Sequence, residues 1–250
     1  LSRPCRFMLT EEAHHMFVGE TGVGRTIQAT VDAMNKAGIT DPYDMNKIRD
    51  LGVIDLPTIQ KKLNMHYTLS LDLFGGEIST NAANAFNSGI KGRFLEHKID
   101  DDHKLAGETY PVTQIVDGKI VRTEVPALTA MNMRLRDDYV KDASGGLKRW
   151  NKAIAKSGVE FEMKLPHEGF HRQIGVFASA NITPEGDMIS AKEWNAKKDE
   201  WLPTKEDGVF IQSLMVPCYE PGKYATWIAP PKVGIDNKPG DFEYVKLHMA

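Results

Sequence analysis

The sequence of 250 residues contains only two cysteines, Cys5 and Cys218, which lie far apart in the chain. This number is too small for a disulfide scaffold and favours the reducing cytoplasm. The sequence also lacks an apolar run near the ~20 residues that span a bilayer, so no membrane helix is predicted. Neither sign of charge dominates, since 31 Lys and Arg accompany 34 Asp and Glu, a net charge of −3. This balance argues against a dedicated nucleic-acid binder, which would need a basic surface.

The patterning that is present is mainly helical in the first part of the chain and less regular later. Apolar spacing predicts helices over residues 3–18, 26–36 and 127–156, with Gly19, Gly22 and Gly24 breaking the first from the second. Residues 56–87 are predicted to be mostly helical, with an interruption at Gly75-Gly76. Ser190 is a candidate N-cap for a short helix that runs through Trp201.

Two strand signals stand out against this helical background. Asp117 and Gly118 separate VTQIV from KIVRTEV, which predicts a β-hairpin with a two-residue turn. A short strand is also predicted from Val159, and the proline-containing tail from Pro217 is expected to become ordered by wrapping on other parts of the protein. The predicted fold class is therefore mainly α, with a small β-hairpin and an extended C-terminal region.

The segment GETGVGRT, Gly19 to Thr26, has the spacing of a phosphate-binding loop, with Arg25 where Lys is expected. Such a loop makes a nucleotide binder one alternative function. The broad Arg fork does not replace the compact Lys ammonium, and the preceding segment is predicted as a helix, whereas the loop requires a buried strand. A glycine-rich break between two helices is therefore the favoured interpretation.

The segment HEGFH matches the spacing at which His167 and His171 would bind zinc in a metalloprotease. A zinc hydrolase is thus a second alternative. Pro166 and Gly169 both weaken the helix that this motif needs, so two loop histidines are the favoured interpretation. Asp100 and His103 have a spacing that could bind a metal, but three adjacent acids indicate a solvated surface, which is the favoured interpretation.

The segment TEEAHH, Thr10 to His15, carries the strongest chemical signal. Glu12 and His15 are three residues apart on a predicted helix, so both project from one face. A carboxylate within an apolar stripe is costly unless it is paired or binds a metal, and Glu-x-x-His on inward-facing helices is the repeated unit of di-iron carboxylate sites. The stripe around Glu12 consists of Cys5, Met8, Leu9 and Met16. A hydrogen-bonded Glu/His cluster without metal, and the neighbouring register of Glu11 with His14, both remain open.

Several long strings resemble the oxygenase subunits of the benzoyl-coenzyme A 2,3-epoxidase family, which are class I di-iron proteins. The resemblance covers nearly all 250 residues, and the strings are FMLTEEAHHMFVGETGVGR, DLFGGEISTNAANAFNSGIKGRF, KIDDDH, PALTAMNMRLRDDYV, DEWLP and WIAPPKVGIDNKPGDFEYVK. It implies a ferritin-like helical bundle, incomplete here, because the chain resembles the C-terminal half of the subunit. Residues 1–108 would then be the later part of the bundle with following helices, and residues 109–250 the hairpin, helix and extended region that pack on it.

The same resemblance implies the chemistry. Glu12 and His15 match the family's last Glu-x-x-His ligand pair, and Glu11 would orient a ligand; the other iron ligands are expected upstream of Leu1 or on another chain. The family uses O₂ and two electrons at a non-haem di-iron centre to epoxidise benzoyl-coenzyme A. The electrons come from a separate NADPH-dependent reductase that carries FAD and iron–sulfur clusters. Candidate contacts for the coenzyme A phosphates are Lys91, Arg93, Arg122, Arg134 and Arg136.

Overall fold

Most of the described chain is helical, which confirms the predicted mainly α fold class with a small hairpin. The structure, a computed structural model, describes residues 2–81, 84, 107–218 and 223–232. The helices are α1 (Ser2–Ala37), α2 (Met45–Asp50), α3 (Leu56–Asp72), α4 (Met131–Ser157), α5 (Ala191–Trp201) and α6 (Lys205–Ser213), with a 3₁₀ turn at Ala127–Thr129. Within these ranges no helix is both long enough and apolar enough to cross a membrane.

Helix α1 is continuous through the three glycines, so the predicted break between residues 18 and 26 is wrong. Each glycine leaves helical hydrogen bonding intact. Burial of the apolar residues in the second half of the helix offsets the low helix propensity of the glycines. Ile27, Val31 and Met34 are fully buried and recur at the i, i+4, i+7 spacing of one helical face. Burial of this face stabilises the helix more than the glycines weaken it, at about 1 kcal/mol each.

The hairpin forms where Asp117-Gly118 predicts it. Strand β1 (Thr109–Val116) pairs antiparallel with β2 (Lys119–Pro126), and Val116 lies opposite Lys119. Asp117 and Gly118 have φ of 49° and 71°, the positive values that a type I′ turn requires at both central residues. Strand β1 buries Val112 against Ala130, which directly precedes α4, and against Met133 in the first turn of α4.

The strand predicted from Val159 is not present. Among the described residues the segment has no neighbouring strand, and side-chain amides satisfy part of its backbone instead. Asn151 donates to the carbonyl of Met163 and accepts from its N–H, at 2.9 and 2.8 Å. Gln60 does the same for Lys164, at 2.7 and 2.8 Å. The segment therefore follows a path that two amide side chains on helices fix.

Two short helices begin with reciprocal capping boxes. Ser190 caps α5 and exchanges hydrogen bonds with Glu193, which confirms the predicted N-cap and the helix through Trp201. Thr204 caps α6 in the same way with Asp207. Helix α6 was not predicted, although the spacing of Thr204 and Asp207 is the signal that could have located it.

The chain divides into two compact units made of non-contiguous segments. Unit 1 comprises residues 1–62, 146–164 and 203–250, and unit 2 comprises residues 63–145 and 165–202. The predicted ranges 1–108 and 109–250 remain a prediction about the family bundle. Within unit 1, the described tail residues 223–232 pack on α1 and its neighbours, as expected for this proline-containing region. Ala229 exchanges backbone and side-chain hydrogen bonds with Arg25, and Thr226 donates to the carbonyl of Gly52 at 2.7 Å.

A buried ionic cluster centred on Arg49 joins α2, α3 and α6 in unit 1. The Arg49 guanidinium donates to Asp55 at 2.7 Å and to Asp207 at 2.6 Å, and it also donates to Thr58. Asp55 and Asp207 are both almost fully buried. Burial alone would raise the pKa of Asp207, but the Thr204 N–H, the Arg49 guanidinium and the Lys61 ammonium together lower that pKa to about 2.

We expect Arg49→Met to lower the free energy of unfolding by about 3 kcal/mol or more, because two buried carboxylates lose their shared cation. Urea denaturation monitored by circular dichroism measures the change. Lys47→Ala is the matched control, since it removes an exposed pair with Asp44 on the same helix and should leave the unfolding free energy essentially unchanged. An equal loss of unfolding free energy in the two variants would contradict the assignment of Arg49 as the shared partner of the two buried carboxylates.

The lowered pKa of Asp207 predicts a specific acid dependence of stability. A carboxyl group whose pKa is lower in the folded state contributes stability above its unfolded pKa, and that contribution disappears as the pH falls toward 2. Asp207→Asn should therefore flatten the decline in unfolding free energy between pH 4 and about 2. Denaturant titrations at several pH values measure this slope. Asp199→Asn, on exposed α5, is the control and should leave the slope unchanged.

Candidate functional site

Glu12 and His15 lie on one face of α1, as the sequence predicts. The carboxylate Oε2 of Glu12 is 3.7 Å from Nδ1 of His15. Both side chains are open to solvent, with 67% of Glu12 and 63% of His15 exposed. Their proximity makes them able to share one cation, because a carboxylate oxygen and an imidazole nitrogen are donors that iron accepts. Their assignment as iron ligands remains a prediction.

The helix around this pair presents a large apolar surface to solvent. The exposed fractions range from 51% to 70% in six apolar side chains on several sides of the helix, Phe7, Met8, Leu9, Met16, Phe17 and Val18, which we call the N-terminal apolar residues. In the described chain, the stripe around Glu12 is therefore not buried. Exposed apolar side chains in this number are typical of interaction surfaces.

The pair fits one part of a metal site. Across the described ranges, no group of three or more His, Cys, Asp or Glu side chains is arranged to hold a metal. Two donors on one helix leave most of the coordination sphere of an iron ion to other groups. The neighbouring Glu11 and His14 are also exposed, and the rings of His14 and His15 are 6.5 Å apart, so geometry alone does not choose between the two registers.

The GETGVGRT segment does not form a phosphate-binding loop. Residues 19–26 are helical throughout, so their backbone N–H groups point along the helix and cannot surround a phosphate. Arg25 instead donates to the carbonyl of Ala229 at 2.6 Å and lies over the ring of Tyr224, 5.3 Å from its centroid. Within this segment, Arg25 holds the described tail residues around Tyr224 and Ala229 against α1.

The HEGFH segment forms turns, and its histidines do not make a helical zinc pair. His171 adopts a positive φ of 51° and stacks on Trp194, with the ring centroids 5.8 Å apart. Burial lowers the pKa of His171, and the nearby Asp72 opposes this only in part. His167 accepts a hydrogen bond from the N–H of Gly169 through Nδ1, at 3.0 Å. The zinc-hydrolase alternative is therefore contradicted.

The central residue of that motif, Glu168, takes part in a buried network that sequence reasoning missed. Arg136 is 1% exposed and donates to Glu168 Oε2 at 2.9 Å and to Glu77 Oε1 at 3.2 Å. Glu168 also accepts from Thr113 on β1, at 2.9 Å. The network holds α4, the hairpin and the HEGFH turns of unit 2 together. Its partners are 32 to 59 residues apart in sequence, so no local pattern reveals them.

This burial also corrects one phosphate-binding candidate. Arg136 is inaccessible and already bound to two carboxylates, so it does not contact a phosphate. Arg122 lies exposed on β2. Lys91, Arg93, Asp100 and His103 lie outside the described residues.

We expect Glu168→Ala to lower the free energy of unfolding by about 2–4 kcal/mol, because the buried Arg136 loses one of its two carboxylates. Chemical denaturation measures the loss. Glu185→Ala, an exposed acid nearby in the sequence, should change stability little. Zinc content should be unaffected by either substitution. A loss of bound zinc when Glu168, His167 or His171 is replaced would support the zinc-hydrolase interpretation.

Comparison with known proteins agrees with the resemblance found in the sequence. The chain is 52% identical over 248 residues to Benzoyl-CoA oxygenase component B of Aromatoleum evansii, across 99% of this chain and 52% of that protein. The chain thus spans about half the length of the curated relative that it matches. No family model matches the chain. The predicted resemblance to benzoyl-coenzyme A oxygenases is confirmed.

Proposed function

We propose that this chain is the corresponding part of an oxygenase component that acts on benzoyl-coenzyme A, because it is similar in sequence to about half of Benzoyl-CoA oxygenase component B. The identity of 52% across 99% of the chain is the observation that carries the proposal. Similarity of this extent covers α1 with Glu12 and His15 as well as the buried networks of both units.

The reaction that we propose is the epoxidation of the aromatic ring of benzoyl-coenzyme A with O₂. One oxygen atom enters the ring and the other leaves as water, so the reaction consumes two electrons and two protons. A separate NADPH-dependent reductase with FAD and iron–sulfur clusters would supply the electrons. The word "component" in the relative's name supports a partner protein of this kind.

A non-haem di-iron centre would supply the redox chemistry toward O₂, and Glu12 and His15 are the residues of this chain that would hold it. Both donors must be deprotonated to bind a cation, Glu12 as the carboxylate and His15 as the neutral imidazole. Their solvent-open positions and their separation of 3.7 Å fit a shared metal. Around them, the N-terminal apolar residues would exclude water once other helices of the bundle cover them.

Replacement of either donor should remove iron without unfolding the helix. We expect Glu12→Gln and His15→Ala to weaken iron binding by about tenfold or more in the complete oxygenase component, since direct ligands contribute at least as much as the groups that orient them. Iron content per protein and the rate of benzoyl-coenzyme A oxidation measure the effect.

His14→Ala is the matched control from the neighbouring register of the same helix, and it should retain most of the iron. Iron loss in Glu11→Gln and His14→Ala, with full iron in Glu12→Gln and His15→Ala, would assign the site to the other register. An active wild-type oxygenase with an iron content near zero would contradict the proposed centre altogether.

A further inference from the structure

A basic groove lies in unit 1 along the C-terminal half of α1 and the last turns of α4. Its volume is about 460 Å³. Its cationic lining consists of Arg149, Lys152, Lys156 and Lys232, and its remaining lining residues include Gln28, Asp32, Asn35 and Ser157. We define these residues as the basic groove.

Three of the four cationic side chains have no ion-pair partner among the described residues. No carboxylate in the described part of the chain lies within ion-pair distance of the ammonium groups of Lys152, Lys156 or Lys232. By contrast, Arg149 forms a two-bond ion pair with Glu20, which fixes one wall of the groove. Lys152 and Lys156 are four residues apart on α4, so they project from the same side of the helix. The groove therefore gathers unpaired positive charge in a chain whose net charge is −3.

A second groove adjoins the first, because Asp32 lines both. It is larger, about 730 Å³, and mainly apolar. Small aliphatic side chains and one aromatic ring form its walls: Ala29, Ala33, Val53, Ile228 and Tyr224. Lys36 stands at its edge without a carboxylate partner among the described residues. A ligand with several phosphates next to a flat, weakly polar ring would find matching surface in the two grooves together.

We propose that the basic groove binds the phosphate groups of the coenzyme A part of the thioester substrate, with the adenine ring directed to the adjoining apolar groove. This inference rests on the proposed function. Coenzyme A carries a diphosphate and a 3′-phosphate, and ammonium groups hold phosphates as point charges that need no fixed geometry.

The position along α1 fits the shape of such a substrate. Seventeen residues separate His15 from Asp32, which places the groove about 25 Å along the helix from the candidate iron ligands at 1.5 Å per residue. The phosphates of an acyl-coenzyme A lie at the opposite end of a long pantetheine arm from the acyl group that reacts. A site for the phosphates is therefore expected far from the metal ligands.

The test compares the wild-type full-length oxygenase component with the double variant Lys152→Gln/Lys156→Gln. We expect the dissociation constant for coenzyme A, measured by isothermal titration calorimetry, to rise by about tenfold or more, since charge-assisted hydrogen bonds to phosphate are lost. The KM for benzoyl-coenzyme A should rise in parallel with little change in kcat. Affinity of the wild-type protein should fall with added salt more steeply than that of the variant.

Lys148→Gln is the matched control, since Lys148 is exposed on the same helix but does not line the groove. It should bind coenzyme A as the wild-type protein does. Pantetheine, which has no phosphates, should bind the wild-type protein and the double variant equally.

Different results would reject the groove and the proposed function separately. Unchanged coenzyme A affinity in the double variant, in a protein that oxidises benzoyl-coenzyme A, would overturn the groove alone. An equal loss of affinity for pantetheine would also overturn it, because the effect would then not depend on phosphate. Tight, lysine-dependent binding of coenzyme A without any benzoyl-coenzyme A oxidation by the iron-loaded protein would support the groove and refute the oxygenase function.

Discussion

Arginines bound to buried carboxylates are the constraint on which both units depend. Arg49 joins two buried aspartates in unit 1, and Arg136 joins two glutamates in unit 2. In each case the buried charges are stable because side chains of opposite charge from other elements of the unit pair with them. Packing of these short helices and of the single hairpin is therefore tied to ionic geometry as well as to apolar burial.

Helix α1 combines two kinds of surface in one continuous element. Its C-terminal half buries Ile27, Val31 and Met34 and holds the tail through Arg25. Its N-terminal half presents the Glu12 and His15 pair among the exposed N-terminal apolar residues. A rigid helix that is anchored at one end can hold two donors in a fixed relation at the other, which is what a shared metal site requires.

The proposed chemistry uses the two ends of this helix for different tasks. The proposed iron ligands lie near its start, and the proposed phosphate groove lies near its end. An acyl-coenzyme A thioester has the same separation between its reactive acyl group and its charged nucleotide, so binding energy from the distant phosphates can orient the ring without contact to it.

The sequence by itself determined the features that depend on neighbours along the chain. These are the helix around Glu12 and His15, the type I′ hairpin at Asp117-Gly118, the Ser190 cap, and the weakness of the HEGFH motif. Tertiary structure decided the rest. The glycines at 19, 22 and 24 lie inside a helix because distant surface buries its apolar face, and residues 159–165 follow side-chain amides from other helices in place of a strand. Glu168 and Arg136 are structural partners, and the basic groove exists, because folding brings together residues that are far apart in the chain and show no local pattern.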